Sequence, residues 1–198
     1  MSLYPFLYNL VHIALRVYHP IFKVTGRENV PENTQLILCG NHSGMTDPIW
    51  MLFALKLNKS CPAIMAKASV LKVPLLGRLL RHYGVFAVHR GESDLSSVKM
   101  GLSALKQGKH LLLFPEATRV KKGKVVEPKN GAVLFSLRSG VPILPVYVET
   151  KRYPFSPMRC VIGQPWTPPA SSKKAGPEEM SALTKTLLEN IYKLGETQ

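Results

Sequence analysis

Acidic side chains are scarce in this sequence. Its 198 residues carry 12 Asp and Glu against 26 Lys and Arg, a net charge of +14 near neutral pH. Positions 48–91 contain no acidic residue, yet Lys56, Lys59, Lys67, Lys72, Arg78, Arg81 and Arg90 all fall there. Such an excess favours an anionic partner: nucleic acid, an anionic membrane surface or a phosphorylated small molecule. Nucleic acid is set aside. Basic and aromatic residues do not interleave as in RNA-binding sheets, and no DNA-reading helix is recognisable.

Other absences narrow the field further. No stretch approaches the roughly 18 uninterrupted apolar residues expected of a membrane-spanning helix. The N-terminus lacks a basic leader and a small-residue cleavage site, so no secretory signal is expected. Cysteine is limited to Cys39, Cys61 and Cys160. These share no metal-ligand spacing, and reduced thiols in a cytosolic setting are expected. A glycine-rich phosphate loop with its lysine is missing, as is the Gly-x-Ser-x-Gly elbow of serine nucleophiles. There is no internal repeat and no low-complexity segment. The length suits one domain with a sizeable core, and 45% hydrophobic residues argue against disorder.

What remains reads as alternating strands and helices. In residues 3–22, Leu3, Phe6, Leu7, Leu10, Ile13, Ala14, Val17 and Ile21 recur at spacings of three and four. Asn9, His12, Arg16 and His19 recur the same way on the other side. This is an amphipathic helix, either packed on its own domain or lying in a membrane interface. Strands are expected at 35–40, 62–66, 84–88, 110–114, 143–149 and 158–163. Helices are expected at 48–57, 69–83 (interrupted by Pro74 and Gly77), 93–107, 131–139 and 178–194. The expected face of the 93–107 helix is Leu95, Val98, Leu102 and Leu105. Pro145 favours an edge strand or a bulge. The alternation predicts an α/β fold: a mixed, mostly parallel central sheet with helices on both faces, preceded by the N-terminal helix. The division is residues 1–25 for that helix and 26–198 for the sheet domain.

Residues 39–48 stand at the centre of this plan. An apolar strand leads in, an apolar helix leads out, and between them His42 and Asp47 lie five positions apart. A histidine and a carboxylate on a short loop between buried elements suit acid–base chemistry. Asp47 before Pro48 also suits a helix cap. Two more loops that follow strands carry polar residues: His89-Arg90-Gly91 and Glu116 to Arg119. Ligands gather at one end of the strands in such sheets.

Four blocks in order resemble the glycerolipid acyltransferases of the 1-acylglycerol-3-phosphate acyltransferase family. Asn41-His42-Ser43-Gly44-Met45-Thr46-Asp47 is similar to its Asn-His-(x)4-Asp motif. Gly84-Val85-Phe86-Ala87-Val88-His89-Arg90 is similar to a second block ending in Arg. Phe114-Pro115-Glu116-Ala117-Thr118-Arg119 resembles Phe-Pro-Glu-Gly-Thr-Arg, and Val141-Pro142-Ile143-Leu144-Pro145-Val146 resembles the proline-bearing fourth block. The resemblance covers roughly residues 35–149. Two positions depart from the pattern. Ala117 replaces the usual Gly, where an ordinary backbone is expected, and His89 replaces the frequent Asp.

The resemblance implies a metal-free transfer of a fatty acyl group, without a cofactor beyond the donor. The donor would be acyl-CoA or acyl-carrier protein, and the acceptor the sn-2 hydroxyl of 1-acylglycerol 3-phosphate in a membrane. His42 would be the base and Asp47 its orienting partner. Arg119, Arg90 and Lys67 would hold the acceptor's phosphate. Glu116 would bind glycerol hydroxyls or orient the arginines, with Thr118 and Asn41 in the same substrate site. Hydrophobic residues of the 48–57 and 69–83 segments are candidates for an acyl channel. The expected location is the cytoplasmic face of a membrane, peripheral or monotopic, on an anionic surface. Another phosphate-bearing acceptor or a non-catalytic lipid-binding module are the alternatives. A divalent ion on His42, Asp47 and Glu116 lacks a fourth ligand.

Overall fold

The computed structural model describes residues 3–58, 61–88, 95–120, 126–169 and 175–196. Fifteen elements follow one another: α1 (Leu3–Tyr18), β1 (Phe22–Thr25), a 3-10 turn (Arg27–Asn29), β2 (Ile37–Gly40), α2 (Asp47–Ala54), β3 (Ala63–Lys67), α3 (Ala68–Leu71), α4 (Leu76–His82), β4 (Val85–Val88), α5 (Leu95–Lys106), β5 (Leu111–Leu113), α6 (Gly131–Ser139), β6 (Ile143–Val148), β7 (Met158–Ile162) and α7 (Pro177–Glu196). The strands form one sheet in the order β1-β7-β6-β2-β5-β3-β4. Strands β2 to β6 are mutually parallel, β7 runs antiparallel to β6, and β1 runs parallel to β7. The mixed, mostly parallel sheet expected from the sequence is present.

The central strands are apolar at every position because both faces are covered. Strands β2, β5 and β6 are buried throughout. Leu36 and Leu38 point to one face, with Trp50, Met51 and Phe53 of α2. Ile37 and Cys39 point to the other, with Ala132, Val133 and Phe135 of α6 and Leu187 and Ile191 of α7. Strand β2 therefore anchors both cores.

Three local expectations change. First, Phe22–Thr25, which the sequence reading assigns to the N-terminal helix segment, forms edge strand β1 in register with β7. Helix α1 ends at Tyr18, ahead of Pro20, which cannot continue it. Second, Pro145 sits in a central strand rather than an edge one, and a bulge accommodates it. From Ile143 to Val146 is three steps on β6, whereas their partners Trp166 and Ile162 are four steps apart. Pro145 still accepts the Gly163 N–H at 2.9 Å, and its missing donor falls where the pairing slips. Third, the buried line of α5 is Ser97, Gly101 and Leu105, while Leu95 is exposed. Val98 and Leu102 only flank that line.

Helix α1 combines the two readings left open above. Tyr4, Tyr8, Val11 and Leu15 pack against the α2 side of the core. The Tyr4 hydroxyl donates to the Leu57 carbonyl at 2.6 Å, and that of Tyr8 to the Leu52 carbonyl at 3.2 Å. The expected apolar stripe of Phe6, Leu10, Ile13 and Val17 points outward and is exposed. No helix among the described residues is long and apolar enough to cross a membrane.

Gly101 is where α5 meets α6 most closely. A Cβ there would lie 2.5 Å from Phe135 Cε1. Gly101→Ala would gain about 1 kcal/mol of helix propensity but overpack the contact. The expected outcome is a net loss of about 1–3 kcal/mol in denaturant unfolding, largely recovered when Phe135→Leu is added.

Candidate active site

The chain leaves β2 through α2 toward β3 on one side of the sheet, and leaves β5 through α6 toward β6 on the other. Helices α2 and α6 lie on opposite faces. The carboxyl ends of the paired strands β2 and β5 therefore flank a crevice where the strand order reverses, the preferred place for a ligand in an open α/β sheet. The loop after β2 delivers His42, and the loop after β5 delivers Glu116. The two are stitched together by the Val120 N–H, which donates to the His42 carbonyl at 2.7 Å.

His42 lies flat on Phe114, with ring centroids 4.2 Å apart and 19° between planes. Its Nδ1 meets Asp47 Oδ2 at 2.9 Å. Asp47 is fully buried, and a buried carboxylate needs donors. The same Oδ2 accepts the N–H groups of Ser43 at 2.7 Å and Gly44 at 2.8 Å. The other oxygen, Oδ1, pairs with the guanidinium of Arg152. A carboxylate so supplied is placed to accept the His42 Nδ1–H, which leaves the Nε2 lone pair free to act as a base. The cap expected of Asp47 is not made. Thr46 occupies the cap position of α2, and the Asp47 carboxylate turns back onto its own loop.

Arg152 escaped the sequence reading. It lies just beyond β6 and donates to Ser43 Oγ at 3.1 Å, to Thr46 Oγ1 at 3.4 Å and to the Glu149 carbonyl at 2.6 Å. Gly44 makes room for it, since a Cβ there would lie 2.5 Å from Arg152 Nη1. The available signal was its place just after the strand that neighbours β2. Tyr192, toward the C-terminal end of α7, had no sequence signal at all. Its hydroxyl donates to Glu116 Oε1.

Glu116 is buried, and its other oxygen, Oε2, accepts the backbone N–H of His42. Both oxygens thus face protein donors. Burial pushes its carboxyl above the usual range, while the Tyr192 hydroxyl and the His42 N–H pull it back. Burial, with Glu116 as its acceptor, raises the Tyr192 hydroxyl. Asn41 is also spoken for. Its amide donates to the Val148 carbonyl at 2.9 Å and accepts the Val148 N–H at 2.7 Å, tying the end of β2 to β6.

Arg119 and Lys67 are exposed, Thr118 is half-buried, and Lys67 ends β3 at the same end of the sheet as His42. Arg90 lies outside the described residues. Ala117 has φ 50°, so its backbone is left-handed and the ordinary conformation expected for it is not adopted. Val70, Val73, Leu75 and Leu79 of the α3–α4 segment are exposed rather than lining an enclosed channel. Trp50, Met51 and Phe53 of α2 are core. The three cysteines are unpaired. Burial pushes the Cys61 thiol to about 11 and that of Cys160 to about 12, and raises that of Cys39, so none supplies a thiolate near neutral pH. Among the described residues, no group of three or more His, Cys, Asp or Glu could hold a metal ion.

Glu116 gives a pH signature. Its raised carboxyl binds a proton more tightly in the folded protein than in the unfolded chain. Stability is therefore full below the ordinary carboxylate range and declines as pH rises through the raised value. Glu116→Gln is expected to flatten that decline in thermal unfolding followed against pH, because an amide can still accept from His42 and donate to Tyr192. Glu116→Ala strands the His42 N–H, at a cost of about 1–3 kcal/mol.

A family model described as Acyltransferase matches residues 21–149. A 1-acyl-sn-glycerol-3-phosphate acyltransferase of Borreliella burgdorferi is 32% identical over 126 residues, 62% of this chain and 49% of that protein. A protein of the same name from Bacillus subtilis is 24% identical over 97% of this chain and 96% of its own length. A chloroplastic one from Arabidopsis thaliana is 31% identical over 65% of this chain and 36% of its own. The chain thus spans about half or less of the Borreliella and Arabidopsis proteins. The crystal structure of the LPA acyltransferase PlsC from Thermotoga maritima superposes with a TM-score of 0.65 at 21% identity, covering 95% of this chain and 77% of that one. At that identity the likeness speaks for the fold. The matched region runs from β1 through β6 and includes the His42, Asp47 and Glu116 loops, well over half of the chain, and the protein belongs to the acyltransferase family.

Proposed function

We propose that the protein transfers a fatty acyl group from the thioester of acyl-CoA or acyl-carrier protein to the sn-2 hydroxyl of 1-acylglycerol 3-phosphate, giving phosphatidate. The observation that carries this is the His42–Asp47 hydrogen bond of 2.9 Å at the carboxyl end of β2, within a region matched to acyltransferases. An alcohol is a poor nucleophile near neutral pH. His42 Nε2 takes its proton as the oxygen attacks the thioester carbonyl, and the new C–O bond replaces the C–S bond. The departing thiolate then takes the proton from the imidazolium. Asp47 steadies the charged ring through Nδ1–H, as in a triad in which the substrate hydroxyl stands where serine would.

The exposed cations Arg119 and Lys67, with Arg90, are the groups offered to the acceptor's phosphate, which guanidinium binds in a bidentate way. The relatives' names point to the same acceptor class. The exposed stripe of α1 supports attachment to the cytoplasmic leaflet of an anionic membrane without a span.

Thiol release from acyl-CoA, followed with and without 1-acylglycerol 3-phosphate, tests this reading. Release that requires this acceptor supports it. Release only with glycerol 3-phosphate or another lysolipid moves the acceptor, and no release with any donor or acceptor leaves a binding module. His42→Ala is expected to lower turnover about 10²–10⁴-fold in a protein that still folds. Arg119→Ala is expected to raise the acceptor KM far more than the donor KM, and equal effects on both count against a phosphate contact.

A further inference from the structure

The segment after β6 carries an apolar surface that neither the core nor the catalytic loops use. Tyr153 is 66% exposed and Phe155 is 69% exposed. They stand on a tight turn in which the Ser156 N–H donates to the Tyr153 carbonyl at 3.0 Å and the Tyr153 N–H donates to Ser156 Oγ at 3.2 Å. Pro154 and Phe155 are the two central residues, and Phe155 has φ 64°. That position in a turn suits Gly or Asn, and a bulky side chain there is strained. The Phe155 ring does not repay the strain by packing, because most of it is in solvent.

The turn adjoins α1. The Phe155 N–H donates to the Tyr18 carbonyl at 2.9 Å. Buried His19 meets the Ser156 carbonyl through Nδ1 at 2.8 Å. The exposed stripe of α1 ends beside it, with Val17 70% exposed and Tyr18 and Ile21 following. Exposed cations Arg16, Lys23 and Lys151 lie within a few residues of the contacting segments in sequence. Glu149, the nearest acidic residue along the loop, is occupied by Arg159 and by the N–H groups of Thr150 and Lys151. The residue before the turn is Arg152, whose guanidinium reaches Asp47.

We infer that Tyr153 and Phe155 are a second lipid-contacting element, which lays the turn after β6 on an anionic bilayer beside the α1 stripe. Phe155 enters the acyl boundary, the Tyr153 hydroxyl stays with the headgroups, and the cations pair with lipid phosphates. The bilayer is favoured as occupant because the patch continues the α1 stripe and carries positive charge at its margin. Through Arg152, the lipid-facing turn and the catalytic carboxylate share one short segment. The inference rests on the proposed action at a lipid surface, not on α1 being the anchor.

The test is cosedimentation of the full chain with phosphatidylcholine vesicles containing phosphatidylglycerol. The variants are Tyr153→Ser/Phe155→Ser, Phe155→Asn, and the α1 set Phe6→Ser/Leu10→Ser/Ile13→Ser. The turn double variant is expected to partition roughly tenfold more weakly. It should keep wild-type turnover on a short-chain acceptor dissolved below its micelle concentration. Phe155→Asn is expected to hold or raise the unfolding temperature while weakening partition, a combination that a purely structural role would not produce. If the α1 set binds normally and the turn variant does not, α1 is not the anchor and the turn inference stands. Wild-type partition of the turn double variant overturns the inference, whatever α1 does. So does a wild-type dimer that the double variant dissociates without change in vesicle binding, since the patch would then serve a second copy.

Discussion

A single buried negative charge organises the candidate site of this protein. The Asp47 carboxylate has no solvent, so three protein donors and one cation replace it: the His42 ring, two backbone N–H groups of its own loop, and the guanidinium of Arg152. Removing one partner of a buried charge costs more than the pair is worth, because the remaining charge is left without compensation. Three of these groups come from its own loop and Arg152 from the segment after β6, so satisfying Asp47 brings the two segments together. The loop must fold back tightly, residue 44 must lack a side chain, and the segment after β6 must approach β2. The orientation of His42 follows from meeting that one electrostatic demand.

Glu116 completes the frame from the other strand. It does not touch the His42 ring. It holds the His42 backbone N–H, while Asp47 holds the ring. Backbone and side chain of His42 are thus fixed by two carboxylates on opposite sides of the crevice, and Phe114 supports the ring from below. Preorganisation of this kind matters because a base misplaced by an ångström loses much of its effect.

The parts of this arrangement written in local pattern were legible in the sequence. The apolar runs of β2, β5 and β6 declare a sheet covered on both faces. The proline and glycine punctuation places α2 and α6, and Gly140, in the left-handed conformation, closes α6 where expected. His42 and Asp47 were visible because their loop is short. Residues whose role depends on long-range placement were not. Arg152 looks like one more surface cation in a chain with 26 Lys and Arg, and Tyr192 occupies an ordinary position on an amphipathic helix. Glu116 and Asn41 were noticed but their protein partners, Tyr192 and Val148, were not, since sequence does not say which way a polar side chain turns. Strand β1 was missed because four residues between a helix and a polar turn leave too short an alternation to recognise. The face of α5 was misjudged because a glycine at the closest contact looks like a gap in an apolar stripe.

The contact between Tyr192 and Glu116 also bears on how the molecule comes into being. The two residues are 76 positions apart, and α7 is the last helix described. Chains are synthesised from the amino end and fold as units become available, so long-range contacts close late. The β2–β5 crevice, with His42 and Asp47 already paired, can form on the ribosome well before α7 emerges. The Glu116 side of the frame cannot. A growing chain would therefore carry a His42 whose backbone anchor lacks its outer support, and the candidate site would gain that support only when α7 docks.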